Sequence, residues 1–189
     1  VKEVKLSMKV IGVVGLPASG KGEFSKIAAG TGIPVVVMGD MIRTAVKASG
    51  LEPTDENFGT MANNLRTERG MDAVAQLCIP RIRSLSAPLV LVDGIRGNAE
   101  VELFRRTFEG FTLIGIESSF EKRLSRIAAR ARSDDFCSAD ALHNRDEREL
   151  SWGLGNALRN ADLTLRNEGT LDAFSTAVRD LLATLGRER

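Results

Sequence analysis

Apolar and polar positions follow two alternating rhythms along this chain. Nearly unbroken apolar runs occupy 9–14 (Lys9-Val10-Ile11-Gly12-Val13-Val14), 34–38, 88–93 and 111–117, with a weaker one at 162–166, and each has the length of a strand. Helical periodicity fills most of 22–30, 40–49, 57–85, 98–108, 119–131, 139–150 and 171–186. Strands that are apolar throughout and separated by helices predict a parallel sheet covered on both faces. In such sheets ligands bind beyond the carboxyl ends of the strands. That rule selects Gly15–Gly22, Gly39-Asp40, Asp93-Gly94 and Glu117-Ser118 as rim residues. Charges crowd the stretch from 130 to 160, which is expected to project from the sheet. No internal repeat or linker divides the chain, and 189 residues suffice for one domain with a full core.

Composition narrows the function classes. Lysine and arginine number 26 against 25 acidic residues, so no global field recruits nucleic acid or an anionic membrane. No run approaches the length of a membrane span and no secretory pattern opens the chain, from which a cytoplasmic protein is expected. Cys78 and Cys137 lack metal-ligand spacing and read as free thiols. His143, the single histidine, sits in a polar, charged stretch, which argues against chemistry built on a nucleophile and a histidine.

The most informative segment is Gly15-Leu16-Pro17-Ala18-Ser19-Gly20-Lys21-Gly22, between the first apolar run and a helical pattern opening at Glu23. The spacing G-x-x-x-x-G-K in that context is a phosphate-binding loop. Glycines let successive amides turn inward, the helix N-terminus adds positive potential, and Lys21 reaches the outer phosphates. The expected architecture is the three-layer P-loop NTPase fold: a five-stranded parallel sheet with helices on both faces and a helical lid. Gly22 and Glu23 follow Lys21 where such loops place a hydroxyl, so a metal ion would rest on phosphate oxygens, water and a carboxylate, which suits Mg²⁺.

Three further groups lie on or near the same rim. Asp93 ends the most apolar strand, either as a turn residue or as the carboxylate that orients Mg²⁺ and its waters. Arg96 follows in Gly94-Ile95-Arg96-Gly97 and offers a forked donor to phosphate. Asp40 and Arg43 open the helix after the second strand, with Asp40 expected as its N-cap and Arg43 against a second substrate. Arg123, Arg126 and Arg130 recur at helical spacing, followed by Arg132-Ser133-Asp134-Asp135 and Arg145. Of these, Arg126, Arg130 and Arg132 are expected on phosphate and Arg123 as a bystander. Trp152, flanked by leucine and glycine, reads as a packing anchor.

These segments occur in the order seen in adenylate kinases and related nucleoside monophosphate kinases. The chain more closely resembles the archaeal adenylate-kinase-related UPF0200 group, whose C-terminal pattern is similar to Arg145-Asp146-Glu147-Arg148-Glu149-Leu150-Ser151-Trp152-Gly153-Leu154-Gly155 with Asn167-Glu168-Gly169-Thr170. The resemblance implies an ATP-dependent phosphotransferase in which Lys21 and the loop amides hold the donor phosphates. It assigns the acceptor phosphate to Arg43 and Arg96, an acceptor-binding helical region to 40–85, and a lid over 120–160 closing with Arg132 and Arg145. It further places Asp93 on Mg²⁺ through water and Asn167-Glu168-Gly169 beside adenine. Adenylate kinases carry threonine where this chain has Glu23, and their third segment is one residue longer than Gly94-Ile95-Arg96.

Two other functions fit the same motifs. A small-molecule kinase resembling dephospho-coenzyme A kinases would phosphorylate a hydroxyl, with Asp40 as its base. A regulatory P-loop ATPase would couple hydrolysis to a conformational change, with a protein partner supplying the group that the loop lacks.

Overall fold

The computed structural model describes residues 8–130 and 138–187. Five parallel strands, β1 (Lys9–Val14), β2 (Val35–Val37), β3 (Leu89–Asp93), β4 (Phe111–Glu117) and β5 (Leu163–Arg166), form one sheet in the order β2-β3-β1-β4-β5. β1 lies at the centre, with Val10 opposite both Val90 and Phe111. Strand order therefore reverses beside β1, and the turn leaving β1 sits at the crevice where such sheets bind ligands.

Side chains of β1 to β4 divide between two cores. Val10, Val14, Val90, Val92, Phe111 and Leu113 face one cluster, shared with α2 (Met38–Ala48), α3 (Asp55–Arg69), α4 (Ala73–Arg83), α5 (Asn98–Thr107) and α8 (Leu154–Arg159). Ile11, Val13, Leu91, Ile114 and Ile116 face the other, shared with α1 (Lys21–Gly30) and α9 (Leu171–Arg187). The period-2 alternation thus buries both faces, which is why the strands carry so few polar residues.

Several elements differ from the sequence reading. The helical pattern across 57–85 is two helices, broken where Gly70 turns to φ 96° and ends α3. α3 begins earlier than predicted because the Thr54 hydroxyl accepts the Asn57 amide. α2 starts at Met38 with Val37 as its cap, so Asp40 lies inside the first turn and is not the N-cap. The stretch 130–160 does not project throughout. α7 (Ala139–Ser151) is followed at Gly153 by α8, whose Leu154 and Ala157 are fully buried against the sheet. Arg132, Ser133, Asp134, Asp135 and Cys137 lie outside the described residues, as does the side chain of Arg130. Among the described residues no helix is long and apolar enough to cross a membrane.

Candidate functional site

The loop 15–20 runs from buried β1 straight into α1 with Gly20 as the helix cap. The Glu23 and Phe24 amides bond back to the Gly20 carbonyl, so the first-turn donors that a helix leaves to a ligand fall at the loop. Gly20 adopts φ 121°, and a Cβ there would collide with the side-chain amide of Asn167. That amide donates to the Ser19 carbonyl at 2.9 Å and pins the loop from the end of β5. Ala18 takes φ 59°, a conformation that an L-residue adopts at a cost of roughly 1–2 kcal/mol. Such strain is tolerated where the surrounding structure fixes the backbone.

Lys21 curls over the loop. Its ammonium donates to the Gly15 carbonyl and, at 3.0 Å, to that of Leu16. Burial, with Arg96 and Arg145 nearby, lowers its pKa from 10.5 to about 8, although Glu149 and Asp93 pull the other way. Asp93, at the end of β3, accepts a 2.7 Å hydrogen bond from Ser25 Oγ on α1. The hydroxyl missing after Lys21 is thus supplied from the next turn, but to the carboxylate.

Beside the loop opens a cleft of about 240 Å³. Its walls come from α2 (Met38, Ile42, Arg43), α3 (Phe58, Ala62, Arg66), the turn after β3 (Gly94, Arg96), and the α7 face that carries Arg145, Arg148, Glu149 and Trp152. Five arginines and two carboxylates, Glu100 and Glu149, stand among the described residues lining it. Arg66 is buried and donates to Glu100 at 3.1 Å, with its guanidinium 4.5 Å from the centre of the Trp152 ring. Glu100 also accepts the Arg96 amide at 2.7 Å and the Gly97 amide at 3.3 Å, which shapes the turn bearing Arg96. Burial pushes the Glu100 carboxyl above the ordinary carboxylate range, against the pull of Arg66. Glu149 is 2 % exposed, paired with Arg96, and accepts from Arg145 Nε at 3.3 Å. Burial acts to raise its pKa, yet the charges of Arg96, Lys21 and Arg145 outweigh that and hold it below the ordinary value.

The structure therefore brings Lys21, Arg96 and Arg145 together and places Arg43 on the same cleft. It does not bring Asp40 or Arg126 there. Asp40 is exposed, pairs with Arg43, and is absent from the cleft lining. Arg126 stands on the opposite flank of the loop. It donates to the carbonyls of Ala18 (3.3 Å), Ser19 (3.4 Å) and Asn167 (2.6 Å) and to Ser118 Oγ (2.9 Å). Arg123 is a buried anchor that clasps Asp146 with two hydrogen bonds and reaches the Pro17 carbonyl. Glu168 bonds the Ser119 amide and hydroxyl, close to where Asn167 meets the loop.

Trp152 borders the cleft, and Arg66, Arg148 and Glu149 join it; the C-terminal pattern over 145–155 includes Arg148 and Glu149 but gives them no role. Helical spacing is the one signal they share. Positions 145, 148, 149 and 152 fall on one face, as do 58, 62 and 66.

Residues 14–142 match the family model described as an AAA domain. A UPF0200 protein of Methanoregula boonei is 65 % identical over 96 % of this chain and all of its own length. One from Methanosarcina mazei is 52 % identical over 93 % of this chain and 95 % of its own. The chain belongs to the AAA-domain family matched there and to the UPF0200 family. Among solved structures, TT1252 from Thermus thermophilus superposes with a TM-score of 0.62 over 94 % of this chain and 98 % of that one, at 17 % identity. Shikimate kinase from Aquifex aeolicus gives 0.53 over 94 % and 96 %, also at 17 %. At that identity the likeness speaks for the fold alone: this UPF0200 member has a kinase-like P-loop fold.

Asp93 and Ser25 suit the Mg²⁺ that accompanies a nucleotide in such folds. No cluster of three or more potential metal ligands exists among the described residues, and Mg²⁺ at phosphates keeps most of its coordination in water and phosphate oxygen. Asp93, half-buried and steadied by the Ser25 hydroxyl, is the carboxylate that would orient those waters.

Proposed function

We propose that this protein is an ATP-dependent phosphotransferase of the nucleoside monophosphate kinase type. The carrying observation is that the phosphate loop and the arginine-lined cleft adjoin at Lys21, Arg96 and Arg145. A donor tail along the loop and an acceptor phosphate in the cleft would meet between those three cations.

Transfer would proceed by in-line attack of an acceptor phosphate oxygen on the γ-phosphorus. The bond from that phosphorus to the β,γ-bridging oxygen breaks, and ADP leaves with the electron pair. An acceptor phosphate needs no base, so the chemistry rests on positioning and charge stabilisation. Lys21 and the loop amides would hold the outer donor phosphates, and Arg43, Arg96 and Arg145 the acceptor. Arg126 would act through the loop, whose carbonyls it holds. When bound, Mg²⁺ would neutralise charge on the donor phosphates, with Asp93 orienting its waters. Phe58 and Trp152 give the cleft a less polar part that suits a planar ring.

Asp40, the candidate base for a hydroxyl acceptor, is absent from the cleft lining and turned to Arg43, which favours a phosphate acceptor. Incubating the protein with ATP, Mg²⁺ and separate acceptors, with ADP release as the readout, tests the reading. ADP formation that requires a nucleoside monophosphate supports it. Dependence on dephospho-coenzyme A, or hydrolysis indifferent to every small acceptor, overturns it in favour of an alcohol kinase or a regulatory ATPase.

A further inference from the structure

Glu149 has no part in the reaction just described, yet it is a buried charge on the cleft wall that meets two of the cleft's arginines. Its side chain is 2 % exposed, whereas those of Arg96 and Arg145 are 26 % and 30 % exposed. The two arginines come from different elements, the turn after β3 and helix α7, and each presents one edge to the same carboxylate. Two guanidiniums side by side repel, and a buried carboxylate between them removes that repulsion while fixing both planes. Surface charge pairs on a solvated helix do neither.

We propose that Glu149 is the positioning residue of the phosphate-binding cleft: a built-in counter-anion that sets Arg96 and Arg145 as a pair and limits how strongly they attract a phosphate group. This rests on the cleft being the acceptor site, and it adds a residue whose charge opposes ligand binding. A substrate anion must share the two guanidiniums with Glu149. Affinity is thereby given up for orientation, which serves turnover because only interactions strengthened in the transition state accelerate it. The flanking acids do not substitute. Asp146 is committed to Arg123, and Glu147 is exposed.

The test uses the full chain, Glu149→Gln, which removes the charge, and Glu149→Asp, which keeps it on a shorter arm. Each protein is first saturated with Mg²⁺ and a non-hydrolysable ATP analogue, so that the loop is filled. Inorganic phosphate is then titrated and followed by calorimetry and by the fluorescence of Trp152, the chain's single tryptophan in a sequence without tyrosine. Phosphate is expected to bind Glu149→Gln about threefold or more tighter, as one opposing charge is lost. Glu149→Asp should bind phosphate as the natural protein does. In transfer to whichever monophosphate is accepted, kcat should fall about a hundredfold in Glu149→Gln through misplaced arginines, and by under about tenfold in Glu149→Asp.

Weaker phosphate binding in Glu149→Gln together with a lowered Tm would show a merely structural residue and overturn the proposal, as would values equal to the natural protein's. If no monophosphate accepts phosphate from ATP, the kinase reading fails while the phosphate titration still decides the role of Glu149.

Discussion

The Ser25 hydroxyl donates to Asp93 Oδ2 across 2.7 Å and joins helix α1 to the end of β3. This contact puts a hydroxyl on the carboxylate proposed to orient Mg²⁺, where the residue after Lys21, Gly22, supplies none. Partners that orient a metal-associated carboxylate typically cost 10–100-fold in metal affinity or activity when removed. Ser25→Ala is therefore expected to raise the Mg²⁺ concentration for half-maximal turnover by roughly tenfold or more. Asp93→Asn should be more damaging, and a Mg²⁺ titration of both variants checks the order.

Lys21 supplies the most direct variant. Its replacement by alanine is expected to lower turnover roughly 10²–10³-fold, the loss typical of one preorganised charge-stabilising donor. A circular-dichroism spectrum like the natural protein's would show that the fold survives the change.

The same lysine predicts a pH dependence. With a pKa of about 8, Lys21 is charged below that pH and increasingly neutral above it. A polyphosphate favours the charged form, so binding above pH 8 takes up a proton and weakens about tenfold per pH unit. Calorimetry with the non-hydrolysable analogue between pH 7 and 9.5 should show a flat affinity that then declines, and Lys21→Ala should remove the decline. For the fold alone the sign reverses. Between about pH 8 and the ordinary 10.5, the unfolded chain holds a proton that the folded one lacks, so stability rises with pH.

Gly97 lies where the β3–α5 turn touches the α7–α8 corner, and a Cβ there would run into the Trp152 carbonyl. Gly97→Ala is expected to cost about 1–3 kcal/mol, as overpacking does, and to displace Arg96. The acceptor KM should rise while affinity for the ATP analogue holds, a split that kinetics and calorimetry together would reveal.

Ala18 presents the opposite case. Relief of its left-handed backbone gains roughly 1–2 kcal/mol, and glycine's extra freedom in the unfolded chain returns about 0.4–1 of that. Ala18→Gly should therefore stabilise the protein by about 1 kcal/mol or less, read as a higher denaturant midpoint.

The loop and the sheet were legible from sequence because both depend on local pattern. Apolar runs such as Leu89–Val92 mark strands, and the glycine spacing marks the phosphate site wherever it follows one. The cleft was only half legible. Arg43 and Arg96 stand beside recognisable strand ends, but Arg66, Arg148 and Glu149 lie near the C-terminal ends of α3 and α7, where a charge looks solvated until a partner from another element is known. Glu149 and Arg145 are four residues apart, the spacing of an ordinary surface pair, and only the approach of Arg96 makes that carboxylate a buried junction. Arg126 misled for the same reason. Its spacing from Arg123 marks a helix face, yet the carbonyls of the loop and of Asn167 decide what that face meets.

We propose that one chain holds a triphosphate on the loop and a monophosphate in the adjoining cleft, close enough to react. A bisubstrate analogue in which adenosine and a second nucleoside are joined through five phosphates tests this most directly by calorimetry. One such molecule per chain should bind about 10²–10⁴-fold more tightly than the ATP analogue, because the second contact becomes intramolecular. Arg96→Ala should erase the gain. Affinity equal to that of the ATP analogue, for every nucleoside tried in the second position, would contradict the account.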